Sequence, residues 1–571
     1  METEDFPTMF QNPGNKKLKV GLIVDSEFAS KYVHELATWG QIQHDVIISH
    51  LIIQKTDNPL QGPLIRLVSS LKKNGVTHII RQLFFYFIIK TESTLLSIIG
   101  LYKDHLSSHD LSKVVKKSIE VKPLVSKSGF VFRYSEEDIN KIKNIGLDVL
   151  IRCGSGILRG GILEASRFGV LSFHHGDNRV NRGGPPGFWE VYFKERKTGF
   201  IIQQLTEELD GGNVLVRGGF PTQFFYLLNQ AFLYTKSNYY MKLLLNNIAT
   251  AGKMPDILPA VPYFNPLFIR PVITEQFYYL FNICLTFGKK FINKRILKKY
   301  NRWGVAYIKS DWKNLVMWRA KRIQNPPGHF LADPFLIHEK DRDYCFVEDY
   351  DYRISKACIS VYELNDITSA RLGEAISEPF HMSFPFIFRF DSKIFICPET
   401  SANKDIRIYE CTGFPLNWRL SKILMKDVWA ADTMIFEHNK RWWLFTNIDP
   451  SQTGDHCSEL YIFHSDNPLS ETWLPHPKNP VYIDSSKGRN AGIVYDAMGN
   501  IYRVAQRQGF DLYGEGFSIN KITVLDTEIF AEAEICSIDP HFFPGIFGTH
   551  HLHSNGTFSV FDFLEASRID K

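Results

Sequence analysis

Cysteine is scarce in this sequence of 571 residues. There are eight cysteines, none in a C-x-x-C pair and none with histidine at metal-ligand spacing. The pattern excludes a disulfide framework and a structural zinc site, and it predicts reduced thiols in a cytoplasmic protein. Of His550, His551 and His553, only the last two share a strand face, and two ligands are too few for a metal ion. We therefore predict no metal site.

A strong net charge and a targeting segment are also missing. The formal net charge is +5 with both signs interspersed, which argues against nucleic acid as a partner. The first 16 residues form a polar leader without an apolar run, so we predict no signal peptide.

No apolar run reaches the roughly 20 residues that a membrane-spanning helix needs. Residues 81–102 are interrupted by a lysine, a threonine and a glutamate, and residues 276–287 are too few. We expect both segments to form buried core helices. Residues 289–303 differ. Four residues share one helical face, and seven Lys/Arg cover much of the rest; the four are Ile292, Ile296, Tyr300 and Trp303. This helix either makes a peripheral contact with the inner membrane surface or links two domains in solvent.

The length predicts two or three domains. In the first part, apolar strands (17–25, 78–80, 148–152 and 170–174) alternate with helical stretches, which is typical of a parallel α/β sheet. The predicted divisions are a leader (1–16), an α/β domain (17–225), a helical basic connector (226–300) and an all-β domain (301–571).

Five similar segments recur in the last part. Each has a small or polar residue, a few apolar residues, a polar turn and an aromatic-rich strand, and their starts lie 51, 48, 59 and 58 residues apart. Two strong strands per unit, with room for two more, predict a five-bladed β-propeller. The segments start at Ala332, Ser383, Ala431, Asn490 and Gly548.

Two histidines and an aspartate follow predicted strands in the α/β part. His174 and His175 end the strand LSFHH, and Asp210 precedes two glycines after the next strand. Open α/β sheets bind ligands at the carboxyl ends of their strands. We expect His174 and Asp210 to meet there, as a proton shuttle and its carboxylate in attack on a carbonyl.

The segment DVLIRCGSGILRGGILEASRFGVLSFHHGD resembles the core of the folate-dependent formyltransferases. The resemblance covers roughly residues 17–225. It implies transfer of a formyl group from 10-formyltetrahydrofolate to the amine of an amino sugar, linked to a nucleotide or a carrier, in polysaccharide biosynthesis. Where the family has an asparagine that contacts the formyl oxygen, this sequence has Ser172. The resemblance implies catalytic roles for His174, Asp210, Ser172 and His175, and cofactor contacts from Arg152, Cys153, Gly154, Ser155, Gly156 and Glu207.

A second set of polar residues lies at the repeat starts. Asp333, Asp432 and Glu399 would gather at the centre of a propeller, where paired carboxylates suit sugar chemistry or sugar binding. Arg489 opens the fourth repeat, which offers no carboxylate to act as general acid.

Residues 302–565 contain the segments HFLADPFL, SFPFIF, PETSAN, AADTMIFEHNKRWWLFTN and GTHHL. With the Ala332-Asp333-Pro334 opening, these residues resemble the propeller of arabinanase- and xylosidase-type glycoside hydrolases. They are more similar to the domain in the N-terminal part of glucosamine inositolphosphorylceramide transferases. The resemblance implies a funnel that binds a glycan or a nucleotide sugar. The overall prediction is a multidomain formyltransferase with a glycan-binding propeller. The alternatives are a non-catalytic glycan-binding protein with a degenerate formyltransferase domain, and a propeller-centred glycosyltransferase.

Overall fold

The computed structural model describes residues 17–56, 63–102, 104–208 and 211–568, with the side chains of residues 63–75 left out. The chain divides into two compact units. The first is an α/β unit that ends at Tyr279, and the second is an all-β unit that runs from Leu280 and includes residues 194–197 and 219–222. The boundaries predicted at residues 225 and 300 stay predictions.

A seven-stranded sheet forms the centre of the α/β unit. Its strand order is β7-β6-β5-β4-β1-β2-β3, and β3, β2, β1, β4 and β5 run parallel to one another. The central strands are apolar and buried, as expected for a parallel sheet covered on both faces. The strands are β1 (Leu18–Val24), β2 (Val46–Gln54), β3 (Lys117–Val121), β4 (Val149–Arg152), β5 (Val170–His174), β6 (Lys197–Gln204) and β7 (Asn213–Pro221).

Five α-helices lie in this unit among the described residues, and a sixth begins in it and continues into the second unit. The helices are α1 (Lys31–Ile42), α2 (Pro63–Ile98), α3 (Glu136–Lys143), α4 (Phe188–Phe193), α5 (Tyr226–Ala251) and α6 (Ile273–Phe291).

Four sequence predictions about these helices are wrong. Residues 78–80 are helical, because this short apolar run belongs to a helix of 36 residues. The helix over residues 276–287 is present but largely exposed, since only Gln276 and Tyr279 are buried on it. The helix expected over residues 289–303 is shorter, because the helical turn Ile292–Ile296 is followed by a strand that begins at Tyr300. Residues 81–98 are helical but do not form a buried core helix, since only Phe85, Ile88, Glu92 and Leu96 are buried among them.

Five antiparallel sheets make up the all-β unit. One combines the first and last long strands of the unit, β8 and β27, which pair from Tyr300↔Ser567 to Ile308↔Ser559. The other four sheets each consist of consecutive strands. The strands are β8 (Tyr300–Ile308), β9 (His329–Glu339), β10 (Arg342–Asp351), β11 (Lys356–Leu364), β12 (Ser369–Ile376), β13 (Ser383–Phe390), β14 (Lys393–Thr400), β15 (Asp405–Gly413), β16 (Asn417–Lys426), β17 (Ala430–His438), β18 (Arg441–Ile448), β19 (Glu459–Ser465), β20 (Leu474–Pro475), β21 (Asn490–Tyr495), β22 (Ile501–Gly509), β23 (Leu512–Leu525), β24 (Phe530–Ile538), β25 (Ile546–Gly548), β26 (Leu552–Ser554) and β27 (Ser559–Ser567).

Each of the five repeats found in the sequence lies on neighbouring strands of one sheet. The first strands contact one another in succession: β9 contacts β13, β13 contacts β17, β17 contacts β21, and β21 contacts β26. Strand β9 also contacts β26 and β27. A large apolar core rich in phenylalanine and tryptophan fills the space between successive sheets.

The helices of the described ranges differ in length and in apolar character. In those ranges, none of the helices combines the length and the apolar character that crossing a membrane requires.

Candidate functional site

Two clusters of polar side chains lie at places where strands end or begin. The first lies in the α/β unit, where the chain order of the strands reverses. Strands β1 and β4 are neighbours, but the chain runs outward from β1 to β3 and then from β4 to β5. Open α/β sheets bind ligands beside such a reversal, at the carboxyl ends of the strands.

The loop after β4 is held against the end of β1. Asp25 accepts hydrogen bonds from the backbone N–H of Ser155 at 2.9 Å and from its hydroxyl at 3.0 Å. Gln54 donates to the same carboxylate at 2.9 Å. A Cβ at Gly154 would lie 2.6 Å from the Gln54 amide nitrogen and 2.8 Å from a carboxylate oxygen of Asp25, so a larger residue there would displace these two side chains. Asp25 and Gln54 were missed in the sequence, although both stand at or next to the end of an apolar strand.

The two adjacent histidines have different surroundings. His174 is half-buried, and its Nε2 lies 3.2 Å from the carbonyl oxygen of Asn181. His175 packs between Phe173 and Tyr234, with ring centroids 5.5 and 4.4 Å away. Burial, followed by the charges of His174 and Arg152, lowers the pKa of His175 to about 3. His175 is therefore neutral at physiological pH.

Ser172 is buried one residue from the end of β5. Its hydroxyl donates to the carbonyl of Phe173 at 3.1 Å, and a guanidinium nitrogen of Arg152 lies 3.5 Å from it. The Nε of Arg152 donates to the carbonyl of Gly156 at 2.7 Å. The Ser172 hydroxyl thus already contacts a backbone carbonyl and a guanidinium of the protein.

The other residues predicted for this site lie close by in the chain. The backbone N–H of Gly160 donates to Glu207 at 2.5 Å, which ties the segment after β6 to the segment after β4. Burial raises the pKa of the Cys153 thiol to about 12, so it stays protonated. Asp210 lies outside the described residues, and its predicted meeting with His174 stays a prediction.

The second cluster is built on an irregularity repeated in the all-β unit. In β9, β13 and β17 the pairing with the next strand skips two residues near the start of the strand. The first skipped residue has a left-handed backbone: φ is 49° at Asp333, 44° at Phe384 and 48° at Asp432. Non-glycine residues adopt this conformation at a cost of about 1–3 kcal/mol, and such residues concentrate at functional sites.

The buried Asp432 and the half-buried Arg489 form an ion pair. The guanidinium donates to the carboxylate through Nε at 2.6 Å and through a terminal nitrogen at 3.2 Å. Glu399 lies 3.6 Å from the same guanidinium and accepts a hydrogen bond from Ser401 at 2.7 Å. The neighbouring carboxylate of Asp432 holds the pKa of Arg489 well above its ordinary value, although burial opposes this.

Asp333 is linked to a second carboxylate through a histidine. The ring of His550 lies 3.1 Å from Asp333 through Nε2 and 2.8 Å from Asp562 through Nδ1. Burial opposes the imidazolium, but the two carboxylates outweigh it and raise the pKa of His550 to about 10. Burial raises the pKa of Asp333, and the charges of His550 and His551 more than reverse this, so the Asp333 pKa lies below its ordinary value.

Three side chains of the described residues could together offer ligands to a metal ion. Ligand atoms of Asp333, His550 and Asp562 lie within 4.8 Å of one another. The pKa of His550 favours an imidazolium between two carboxylates in this arrangement. The predicted absence of a metal stays a prediction.

Glu348 is a further carboxyl group of the cluster. It lies on β10 directly opposite Ala332, and its side chain is buried. Burial, followed by the negative charge of Asp333, raises the pKa of Glu348 well above its ordinary value. The cluster therefore places an ionised carboxylate near a carboxyl group that holds its proton, which is the pairing used in chemistry at a sugar carbon.

Aromatic side chains border this cluster. The Arg489 guanidinium lies 5.0 Å from the ring centre of Tyr513, and this tyrosine is 40% exposed. Trp303 and Tyr513 both pack against His550, at 4.1 and 5.2 Å between ring centres. The cluster thus reaches the surface beside an aromatic ring.

The structure brings together all four residues predicted for the all-β part: Asp333, Glu399, Asp432 and Arg489. It adds residues that sequence reasoning missed. The cross-strand register places Glu348, and the last sheet supplies His550 and Asp562. The adjacent histidines were visible in the sequence, but their partners were not.

Known proteins resemble the two parts of the chain separately. The family "Glucosamine inositolphosphorylceramide transferase 1, N-terminal" matches residues 283–539. Glucosamine inositolphosphorylceramide transferase 1 of Arabidopsis thaliana is 34% identical over 213 residues, which are 37% of this chain and 28% of the relative. The chain thus spans less than a third of that relative's length.

The other similarity is to formyltransferases. Methionyl-tRNA formyltransferase of Bacillus subtilis is 24% identical over 201 residues, which are 34% of this chain and 62% of the relative. Among solved structures, Zg3597, a family 117 glycoside hydrolase from Zobellia galactanivorans, covers 46% of this chain and 90% of its own, with 12% identity and a TM-score of 0.31. That value is too low to carry an argument.

Proposed function

We propose that the chain binds a sugar in the carboxylate cluster of its all-β unit and that this unit is the sugar-recognising part of a transferase. The observation that carries the proposal is the cluster of three buried carboxyl groups, Asp333, Glu348 and Asp432, with the half-buried Glu399 and Arg489. The cluster opens beside Tyr513. Sugar hydroxyls donate to carboxylates and accept from a guanidinium, and an aromatic ring can cover the apolar face of a sugar ring.

The proposal includes a five-bladed propeller. Five sheets follow one another along the chain, and each first strand contacts the next one. The contacts of β9 with β26 and β27 support closure of the ring. In a closed propeller the first strands surround a central channel, and this is where the cluster would lie.

A glycosyl-transfer step is the chemistry that suits the cluster best. Asp333, kept ionised by His550, would act as the base or stabilise positive charge at the sugar carbon. Glu348, kept protonated by burial, would supply the proton to a leaving oxygen. The similarity to glucosamine inositolphosphorylceramide transferase 1 supports a glycan or a nucleotide sugar as the ligand.

Binding can be tested with a glycan array and a set of nucleotide sugars. We expect Asp333→Asn and Asp432→Asn to weaken binding at least tenfold. Asp391→Asn is a matched control, because Asp391 is an exposed aspartate with the same left-handed backbone (φ 47°). Unchanged binding in both cluster variants, with the control also unchanged, would exclude this site.

Formyl transfer by the α/β unit is a second candidate. Its support is the position of His174 at the end of β5 and the similarity to methionyl-tRNA formyltransferases. The donor would be 10-formyltetrahydrofolate, held by the loop from Arg152 to Gly156 and by Glu207, and the acceptor would be an amino sugar. His174 would move the proton of the amine, with Asp210 as its carboxylate.

The fit to this donor is partial. The hydroxyl of Ser172 is engaged with Phe173, and the Ser155 amide donates to Asp25. Release of tetrahydrofolate with amino-sugar nucleotides tests the idea. We expect His174→Ala to abolish the release and His44→Ala, at an exposed histidine, to leave it unchanged. If the wild-type protein releases none, the α/β unit is a degenerate formyltransferase.

A further inference from the structure

Helix α6 carries an exposed apolar stripe. From Phe277 onward its apolar side chains recur at helical spacing and continue into the π-helical turn Ile292–Ile296. Side chains three or four residues apart share one face of a helix, so these residues form a nearly continuous stripe. The stripe consists of Phe277, Phe281, Leu285, Ile292 and Ile296, each between 42% and 65% exposed.

Basic side chains accompany the second half of this stripe. Lys290 pairs with Asp511, at 2.5 Å. Within the described ranges, the other five basic residues have no carboxylate within ion-pair distance. All of them are exposed. They are Lys289, Lys294, Arg295, Lys298 and Lys299.

We infer that α6 and the turn after it bind the surface of an anionic lipid bilayer. An apolar stripe lowers its free energy by entering the acyl boundary, and unpaired basic residues beside it attract anionic headgroups. A second copy of the chain could cover the apolar stripe with its own stripe. It would, however, place its five unpaired basic residues against the five of the first copy, and these charges would repel one another. Charge complementarity therefore favours an anionic bilayer as the occupant.

The surface can be tested by sedimentation of the full chain with vesicles. We expect binding to phosphatidylcholine vesicles that contain phosphatidylserine and little binding to phosphatidylcholine alone. Each basic residue near an anionic surface is worth about a fivefold change in partition, so Lys294→Glu/Arg295→Glu should weaken binding at least 30-fold. Phe281→Ser/Leu285→Ser should reduce it at least tenfold, because it removes two members of the stripe.

The control variants make the same kinds of substitution, charge reversal and loss of an apolar side chain, at exposed residues outside α6 and the turn after it. Lys143→Glu/Lys253→Glu reverses the charge of two exposed lysines. Ile354→Ser removes an apolar side chain that is 62% exposed. Both controls should bind like the wild type, and circular dichroism should show all variants folded. Equal binding to neutral and anionic vesicles, or loss in the controls alone, would overturn the inference. So would a dimer that Phe281→Ser/Leu285→Ser splits in a protein that binds no vesicles.

Discussion

Several buried ionisable residues make the stability of the folded chain depend on their charge. His550 contacts Asp333 and Asp562 through its two ring nitrogens and is itself buried. Removing the middle member of such a chain leaves charged groups without compensation, and this usually costs several kcal/mol. The charge of His550 therefore contributes to stability as well as to the state of Asp333.

His550→Gln gives the first prediction. The pKa of His550 is raised to about 10 in the folded chain, so the stabilisation is fully present below its unfolded pKa near 6.5. It is lost as the pH rises toward 10. We expect the variant to be less stable than the wild type by roughly 3–5 kcal/mol at pH 6, with the difference largely gone at pH 10.

Urea unfolding at both pH values measures this difference. His541→Gln, at an exposed histidine, is the control and should match the wild type. A difference that does not depend on pH would mean that the ring packs but does not carry a charge.

Glu92 gives a second prediction at this scale. It is buried between three helices, where it accepts hydrogen bonds from the backbone N–H of Leu227 at 2.8 Å and from the hydroxyl of Tyr279. Burial raises its pKa to about 7. The folded state therefore binds a proton more tightly than the unfolded state, and stability falls as the pH rises from about 4.5 to 7.

Glu92→Gln should remove this dependence. We expect the wild type to lose about 2.5 kcal/mol relative to the variant between pH 5 and pH 8. Denaturant unfolding followed by circular dichroism gives the two values. Glu208→Gln, at an exposed glutamate, should keep the wild-type dependence, and an identical slope in Glu92→Gln would contradict the assignment.

Short hairpins connect the first two strands of three of the sheets. Their two turn residues both have positive φ, as at Asn439 (51°) and Lys440 (59°). Turns of this kind match the twist of the strands and favour Asn-Gly or Asp-Gly. The three hairpins therefore hold lysine, aspartate or serine where glycine would be less strained.

Lys440→Gly should stabilise the all-β unit by roughly 0.5–1 kcal/mol, because glycine adopts positive φ without a steric penalty. Thermal unfolding provides the measurement. Lys440→Ala separates this effect from loss of the exposed side chain, and it should not stabilise. Equal stabilisation by both variants would argue that the lysine side chain, and not the backbone, is the cause.

Elements differ in how far the sequence reveals them. The hairpins at Asp391–Ser392 and Asn439–Lys440 are visible because turn residues separate two aromatic-rich strands. Residues 78–80 were assigned to a strand because a run of three residues cannot show the helical period. Glu348 could not be found at all, since its place opposite Ala332 depends on a strand register that only the folded chain displays.

The whole molecule consists of two units with separate cores. The core of the α/β unit includes Ile23, Leu150 and Val170, while that of the all-β unit includes Phe346, Phe395 and Trp443. The spacing of the repeats predicts the all-β unit, and the alternation of strands and helices predicts the α/β unit. The sequence could not show that α6 leaves its apolar side exposed, because the same pattern also fits a buried helix.

Separate cores predict two transitions on heating. We expect Glu92→Gln to move only the transition of the α/β unit and His550→Gln only that of the all-β unit. Differential scanning calorimetry of the full chain at pH 8 and pH 6 tests this. A single transition that both variants shift would show that the units unfold together.

The pairing of β8 with β27 has a consequence for synthesis on the ribosome. Strand β8 is made first and can form its nine residue pairs only after residues 559–567 have emerged. At about 5–20 residues per second, the nascent unit keeps an unpaired strand edge for a time on the order of tens of seconds. Such an edge invites pairing with other chains. We therefore expect expression in cells to depend on chaperones that shield the growing chain until its last strand closes the sheet.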